Sequence, residues 1–377
     1  MYIYELSDWP NLYWSEAEIS LKVAELRHQQ GRIVGKMEAL GISFRQEAVL
    51  QTLTEDVLKS SEIEGEILNK EQVRSSLARR LGMDVAGLTP TDRNVEGVVE
   101  MMLDATQNYK ALLTKDRLFG WHCALFPTGR SGMHKIVVGN WRSDAEGPMR
   151  VISGRVGKEK VHYQAPDAVR LSGEMGKFFE WFNAVPDIDL VVKAALAHLW
   201  FVSIHPFDDG NGRIARALTD LTLARSEDSA NRFYSMSAQI CSERKEYYDV
   251  LETTQKGTLD ITRWMKWFLD CLERAFQKSE LVLANVLIKA KFWEVTANQS
   301  LSERQIKILN LMLEDSIEKL STSKWAKIGK CSQDTAHRDI TDLIDRDILS
   351  QNQAGGRSTS YSFSVSLLAK IRTQGKQ

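Results

Sequence analysis

Four cysteines in 377 residues, at positions 123, 241, 271 and 331, never form a CxxC pair. Thiols this scattered exclude a disulfide-dense scaffold and argue against a cysteine-rich structural zinc site, and a reducing cytoplasm is the expected location. Proline is scarce as well, at 7. With so few helix breakers and long stretches of 3.6-residue periodicity, a mostly helical chain is expected. Charge of one sign is also missing, since 49 Lys and Arg face 50 Asp and Glu for a net charge of -1. Bulk attraction to nucleic acid or to an anionic membrane is excluded, so any polyanion site must be local. No uncharged apolar run reaches the roughly 18 residues of a spanning helix. The opening MYIYELSDWPNLYW has no basic stretch followed by an apolar one, so neither secretion nor membrane insertion is expected. The phosphate-loop pattern G-x-x-x-x-G-K-[ST] occurs nowhere, and no internal repeat is visible.

What is present is organised helix. Leu50, Leu53 and Val57 stand at i, i+3 and i+7 in an otherwise polar stretch and form one docking stripe. Residues 189–204, DLVVKAALAHLWFVSI, are apolar nearly all round, the mark of a helix buried at a domain centre. Between them, residues 139–166 offer short β-compatible runs around glycines and predict a hairpin. Near the end, ERQIKILNLML, STSKWAKIGK and SQDTAHRDITDLIDRDIL read as three short helices before a strand pair with a glycine turn, the order of a winged helix. Ala336, Ile340, Leu343 and Ile344 mark the buried face of the third.

Residues 205–216, HPFDDGNGRIAR, concentrate the chemistry. Gly210 and Gly212, with Asp and Asn around them, stop one helix, and a second starts near Gly212. Ile214, Ala217, Leu218 and Leu221 give that helix an apolar face and leave Arg213 and Arg216 on another flank. Free N–H groups at a helix start bind anions, and the guanidinium fork suits phosphate oxygens. Asp209 can hold Mg²⁺ by one carboxylate while phosphates supply further ligands. His205 can take a proton from a hydroxyl. The set points to phosphoryl or nucleotidyl transfer from a Mg-nucleotide to an alcohol.

At every fixed position, His205, Phe207, Asp209, Gly210, Asn211, Gly212, Arg213 and Arg216, the stretch resembles the signature H-x-F-x-[DE]-G-N-G-R-x-x-R of the Fic family. The resemblance extends over roughly residues 45–285, through GNWR, the hairpin, the buried helix and SERKEYYDVL. It implies a Fic-type helical core with a β-hairpin flap, and transfer of AMP from ATP to a Ser, Thr or Tyr hydroxyl of a protein, self-modification included. His205 is then the base and Asp209 the Mg²⁺ ligand. Asn211 with the Gly210 and Gly212 backbone holds the α-phosphate, and Arg213 and Arg216 hold the outer phosphates. Tyr248 and Gln255 flank the adenine, with Gln255 standing where Asn is frequent. The flap, around residues 149–161, aligns the target by strand addition. Gly212 favours AMP transfer over phosphorylation, because kinase-like members carry Lys there.

Upstream, SSEIEGE resembles the family's inhibitory motif [ST]-x-x-x-E-[GN] through Ser60, Glu64 and Gly65. The resemblance implies that Glu64 pairs with Arg216 and blocks the seat of the γ-phosphate. Helix geometry points Glu62 and Glu66 roughly 200° away from Glu64, so they are expected not to reach Arg216. The same glutamate lets some members remove AMP. Residues 1–115 are read as an N-terminal helical segment carrying the inhibitory helix, 116–285 as the catalytic core and 286–377 as the winged-helix-like module. A homodimer is expected, as dimers are frequent among relatives. The rival reading is a nucleic-acid binding regulator acting through the tail. Against it, the third tail helix holds Asp334, Asp339, Asp342, Asp345 and Asp347 against Arg338 and Arg346, although Lys324, Lys327, Lys330 and Arg357 offer a local basic edge. Protein recognition or packing against the core is the preferred role of that module.

Overall fold

The computed structural model describes residues 1–377 apart from 39–40, 84–88, 146, 155–157, 314–319, 353–358 and 374–377. The tip of the expected flap at 155–157, the tail's glycine turn and Arg357 therefore lie outside the described residues. The chain divides into two compact units, residues 1–279 and 280–377.

The first unit is built from helices α1 (Glu16–Glu38), α2 (Ile42–Ile63), α3 (Lys70–Arg80), α4 (Arg93–Gln107) and α5 (Lys115–Leu125), followed by α6 (Leu171–Asn183) and α7 (Leu190–Ile204). After them come α8 (Asn211–Glu227), α9 (Met236–Ser242), α10 (Arg244–Gln255) and α11 (Thr262–Val295), the last running on past residue 279. The chain is mostly α, as its composition predicts. All of α7 from Val191 to Ile204 is buried, so its near-uniform apolarity reflects a central position. It packs along α8, which buries Ile214, Ala217, Leu218 and Leu221. The predicted stripe Leu50, Leu53 and Val57 is buried on α2.

Among the described residues of the first unit, two hairpins interrupt the helices. Arg130–Ser131 (β1) pairs with His134–Lys135 (β2), and Arg150–Ser153 (β3) pairs antiparallel with Lys160–Gln164 (β4), with a register shift between Val151 and Ile152. The periodicity reading finds only the second, because two-residue strands carry no alternation.

In the second unit, α12 (Glu303–Leu313), α13 (Thr322–Gly329) and α14 (Gln333–Asp345) precede an antiparallel pair, Leu349–Gln351 (β5) and Tyr361–Phe363 (β6), and then α15 (Val365–Thr373). Their common core gathers Ile308, Leu309, Trp325, Ala336, Ile340 and Leu343. Two acids of α14 are engaged internally: Asp339 accepts from Arg304 and Trp325, and Asp342 from Gln305 and Arg346. The exposed positions of α14 include Asp334, His337, Arg338 and Asp345, a mixed face with no cationic stripe.

Candidate active site

The end of α7 delivers His205. It caps the helix in the left-handed region at φ 52° and ψ 60°, a conformation that non-glycine residues adopt only when the surroundings impose it. Arg142 supplies part of that constraint: its Nε donates to the His205 carbonyl at 2.8 Å, and its backbone N–H donates to Pro206 at 3.0 Å. The imidazole Nδ1 lies 3.2 Å from the Val202 carbonyl. A carbonyl only accepts, so Nδ1 carries the proton and Nε2 keeps a lone pair. Burial, with Arg142 nearby, pushes the His205 pKa down to about 4, against the opposing pull of the Val202 carbonyl, Glu64 and Asp209. A neutral ring at physiological pH is a proton acceptor.

The loop after His205 is fixed from inside. Phe207 is fully buried and stacks on His122 with ring centroids 4.2 Å apart, the packing role its apolar character suggests. Asn211 commits its amide to both backbone groups of Phe207, accepting from its N–H at 3.0 Å and donating to its carbonyl at 2.8 Å. Its side chain therefore shapes the loop, and what it offers an anion is its own backbone N–H at the first position of α8. Gly210 stands at φ 79°, and a Cβ there would come 2.9 Å from the Phe126 ring.

Arg213 and Arg216 stand on the first turns of α8, both buried. Arg216 donates from Nε to Ser60 Oγ at 2.9 Å, and from Nη2 to the Ser60 carbonyl and to Glu64 Oε1, both at 2.8 Å. Burial works against its charge, and Glu64 with Tyr247 more than offsets this, so the guanidinium is held above its ordinary pKa. Arg213 lies 5.0 Å above the Phe126 ring and donates from Nη1 to Glu66 Oε2 at 2.7 Å. Among the described residues, one buried donor on each is without a partner, Nη1 of Arg216 and Nε of Arg213. Orphaned guanidinium donors beside a helix start fit an anionic ligand.

The carboxylates reach these arginines because of how α2 stops. The helix ends at Ile63 and Glu64 is its cap. Gly65 adopts φ 84°; its N–H donates to the Glu62 carbonyl, and that of Glu66 to the Ser61 carbonyl. This paired closing turn needs a residue at ease in the left-handed region. Ser60 and Glu64 meet one arginine, as one helical turn of spacing predicts. Glu66 is a correction: it leaves Arg216 alone, but the chain reverses after Gly65 and carries it to Arg213, so it is no bystander. Gly212 is the other permissive position, since a Cβ there would come within 2.2 Å of Glu64 Oε1.

Asp209 accepts from the Gly210 N–H at 2.6 Å and from the Ser131 hydroxyl. Among the described residues no three His, Cys, Asp or Glu side chains gather into a metal cage. A single hard carboxylate just before a helix start that can bind an anion fits Mg²⁺ that would draw its other ligands from phosphates and water. Tyr248 is partly exposed, with its hydroxyl 3.5 Å from the Ile63 carbonyl at the end of α2. Gln255 is buried and donates to Ser203 Oγ at 3.2 Å, on the last turn of α7. Both therefore stand on α10 near the ends of α2 and α7. Sequence reasoning missed Glu66, Arg142 and Ser131, whose roles depend on loop paths that periodicity does not encode.

No helix of the described residues is long and apolar enough to cross a membrane. Residues 112–223 match the model of the Fic/DOC family, and residues 2–83 match a domain of unknown function, DUF4172. The chain is 29% identical over 217 residues to proteins named protein adenylyltransferase Fic from Culex quinquefasciatus and from Aedes aegypti, covering 56% of this chain and 38% of each relative. It thus spans little more than a third of their length. A crystal structure of a Fic family protein from Desulfovibrio desulfuricans G20 superposes with a TM-score of 0.52 at 20% identity, over 91% of this chain and 96% of that one. The stretch from His205 to Arg216 falls inside the matched segment, and residues 112–223 are accordingly a Fic/DOC domain.

Proposed function

We propose that this chain transfers AMP from ATP to a hydroxyl of a protein, its own or another's, and that Glu64 restrains the reaction. The observation that carries the reading is the pair of buried arginines at the start of α8, each with one donor unpartnered and each held by a carboxylate from the end of α2. Similarity to relatives named adenylyltransferases supports the group transferred.

In the reaction the acceptor hydroxyl oxygen bonds to the α-phosphorus as the bond to the pyrophosphate oxygen breaks, and His205 Nε2 takes the hydroxyl proton. The first N–H groups of α8 face the α-phosphate, and Arg213 and Arg216 neutralise the departing charge. Asp209 holds Mg²⁺, which when bound balances pyrophosphate charge. Glu64 occupies the guanidinium that the γ-phosphate would use. With Glu64 in place and positioning a water, AMP can be removed by hydrolysis: the water oxygen bonds to the α-phosphorus of the modified protein as its bond to the acceptor oxygen breaks, and the acceptor leaves as a hydroxyl with the proton, releasing AMP. The strand pair β3–β4 presents an edge for the target segment, Tyr248 and Gln255 border the base, and residues 280–377 form a winged-helix-type module that engages protein. Cytoplasmic location and a homodimer complete the reading.

The test is incubation of the Glu64→Gly protein with α-labelled or γ-labelled ATP. Protein-bound label is expected from the α position alone, and to disappear on adding His205→Ala while ATP still binds. Label from γ alone would replace this reading with phosphorylation. No label from either, together with tight duplex binding, would favour the nucleic-acid regulator.

A further inference from the structure

The segment before α1 has no counterpart in the chemistry above, yet it is tied into the molecule along its whole length. At one end the Tyr13 N–H donates to the Leu259 carbonyl at 3.0 Å, the Ile261 N–H donates to the Tyr13 carbonyl at 2.8 Å, and the Ser15 N–H donates to Thr262 Oγ1 at 2.9 Å. In the middle Trp9 is buried, edge-on to Trp200 of α7 at 6.3 Å, with Nε1 donating to the buried carboxylate of Glu174 at 2.9 Å. At the other end a short 3-10 turn, Ile3–Glu5, places Tyr2 and Tyr4 edge-on against Tyr163 of β4, at 5.1 and 6.2 Å. The Tyr4 hydroxyl donates to the Ala165 carbonyl just past β4 at 3.3 Å, and Arg170 donates to the Tyr4 carbonyl at 3.3 Å while its guanidinium lies 5.4 Å above the Tyr4 ring.

What Tyr163 does next gives this packing its meaning. Its hydroxyl, buried, donates to the Ser203 carbonyl at 2.6 Å, two residues before His205. A second tie closes the same gap, since Arg142 donates both to the His205 carbonyl and to the Pro166 carbonyl. A β4 fixed at Tyr163 is therefore fixed relative to the base. An isolated two-stranded hairpin is marginal in water, and β3 and β4 have few buried residues, Tyr163 being the one buried position in either strand. Lys160 and His162 also tie β4 to Glu252 of α10 from exposed and half-buried positions, and Tyr163 is the strand pair's buried anchor.

We infer that residues 2–14 are a positioning strap: Tyr2 and Tyr4 clamp Tyr163 and so hold the β3–β4 hairpin in register with the His205 end of α7. The role of that hairpin toward an acceptor rests on the function proposed above; the clamp itself does not. The strap explains why an aromatic-rich stretch opens the chain, and it gives the first residues of the DUF4172 match a task in the catalytic unit.

The experiment uses the full chain carrying Glu64→Gly, alone and with Tyr4→Ala, Tyr4→Phe or Tyr2→Ala. Amide hydrogen exchange of Arg150–Ser153 and Lys160–Gln164 is read against that of α8, with the ATP dissociation constant measured in parallel. Tyr4→Ala is expected to speed exchange in the two strands by about tenfold or more, leaving α8 and ATP binding within about twofold, and Tyr4→Phe is expected to retain most of the protection. Should Tyr4→Ala loosen the whole molecule, Tyr2→Ala, which removes a half-buried ring, is judged by the same comparison. Strand exchange within about twofold of the parent in the variant that stays folded would overturn the strap. Label transfer from α-labelled ATP should fall with the strand protection. If the Glu64→Gly parent transfers no label, the proposed reaction fails while the exchange result still decides the strap.

Discussion

Arg216 makes contacts with Ser60 and Glu64 that an arginine awaiting a phosphate has no reason to make, and it still has one buried donor to spare. The spacing of Ser60 and Glu64 makes this pairing readable from sequence, because a helix face fixes which side chains travel together. His205 is readable by type but not by environment. Its neutral state comes from packing and from Arg142, which stands 63 positions earlier. The consequence is a pH profile. A base must be unprotonated, so activity of the Glu64→Gly protein should stay level from about pH 8 down to about pH 5.5 and decline only as pH falls toward 4, not at the ordinary histidine value near 6.5. Initial rates of AMP transfer across that range check this, and an acid limb centred near 6.5 would show that the ring is not shielded as described.

Among elements, the end of α2 matters more than its length. The helix α7 is legible from its unbroken apolar run, and α8 and α12 to α14 are legible because their apolar spacing is long enough to repeat. The turn at Glu64 and Gly65 is not, since nothing in helical periodicity says where the chain goes after it stops. That turn puts a second carboxylate, Glu66, on Arg213 at 2.7 Å. Glu66→Ala should therefore tighten ATP binding in the Glu64→Gly background by a few-fold, a modest gain because Glu66 is partly exposed and such pairs contribute up to about 1 kcal/mol. Titration calorimetry reads it, and unchanged affinity would make the Glu66 contact incidental. Gly65→Ala places a Cβ at φ 84°, a conformation costing roughly 1–2 kcal/mol. It should lower the melting temperature slightly and partly release the restraint from both carboxylates. Wild-type activity in that variant would mean that the turn does not set the latch.

For the molecule as a whole, all the proposed site residues lie in the first compact unit. Removing the chain beyond Val295 should leave AMP transfer to a generic acceptor, or to the protein itself, within about threefold of the full-length rate, since no interaction made only in the transition state is lost. Loss of transfer in a folded truncation would show that the tail completes the site.

The central claim, that Glu64 on Arg216 restrains AMP transfer, is tested most directly by comparing the wild type with Glu64→Gly for transfer from α-labelled ATP at matched ATP occupancy. A charge-assisted hydrogen bond is worth roughly 1.5–3 kcal/mol, which sets an expected gain of about ten- to a hundredfold. Glu62→Ala, which removes a side chain paired with Lys59, should give no gain. Slow transfer by the wild type despite measurable ATP binding, with that gain in Glu64→Gly, is the predicted result. A Glu64→Gly protein no faster than wild type, or an equal gain from Glu62→Ala, would contradict it.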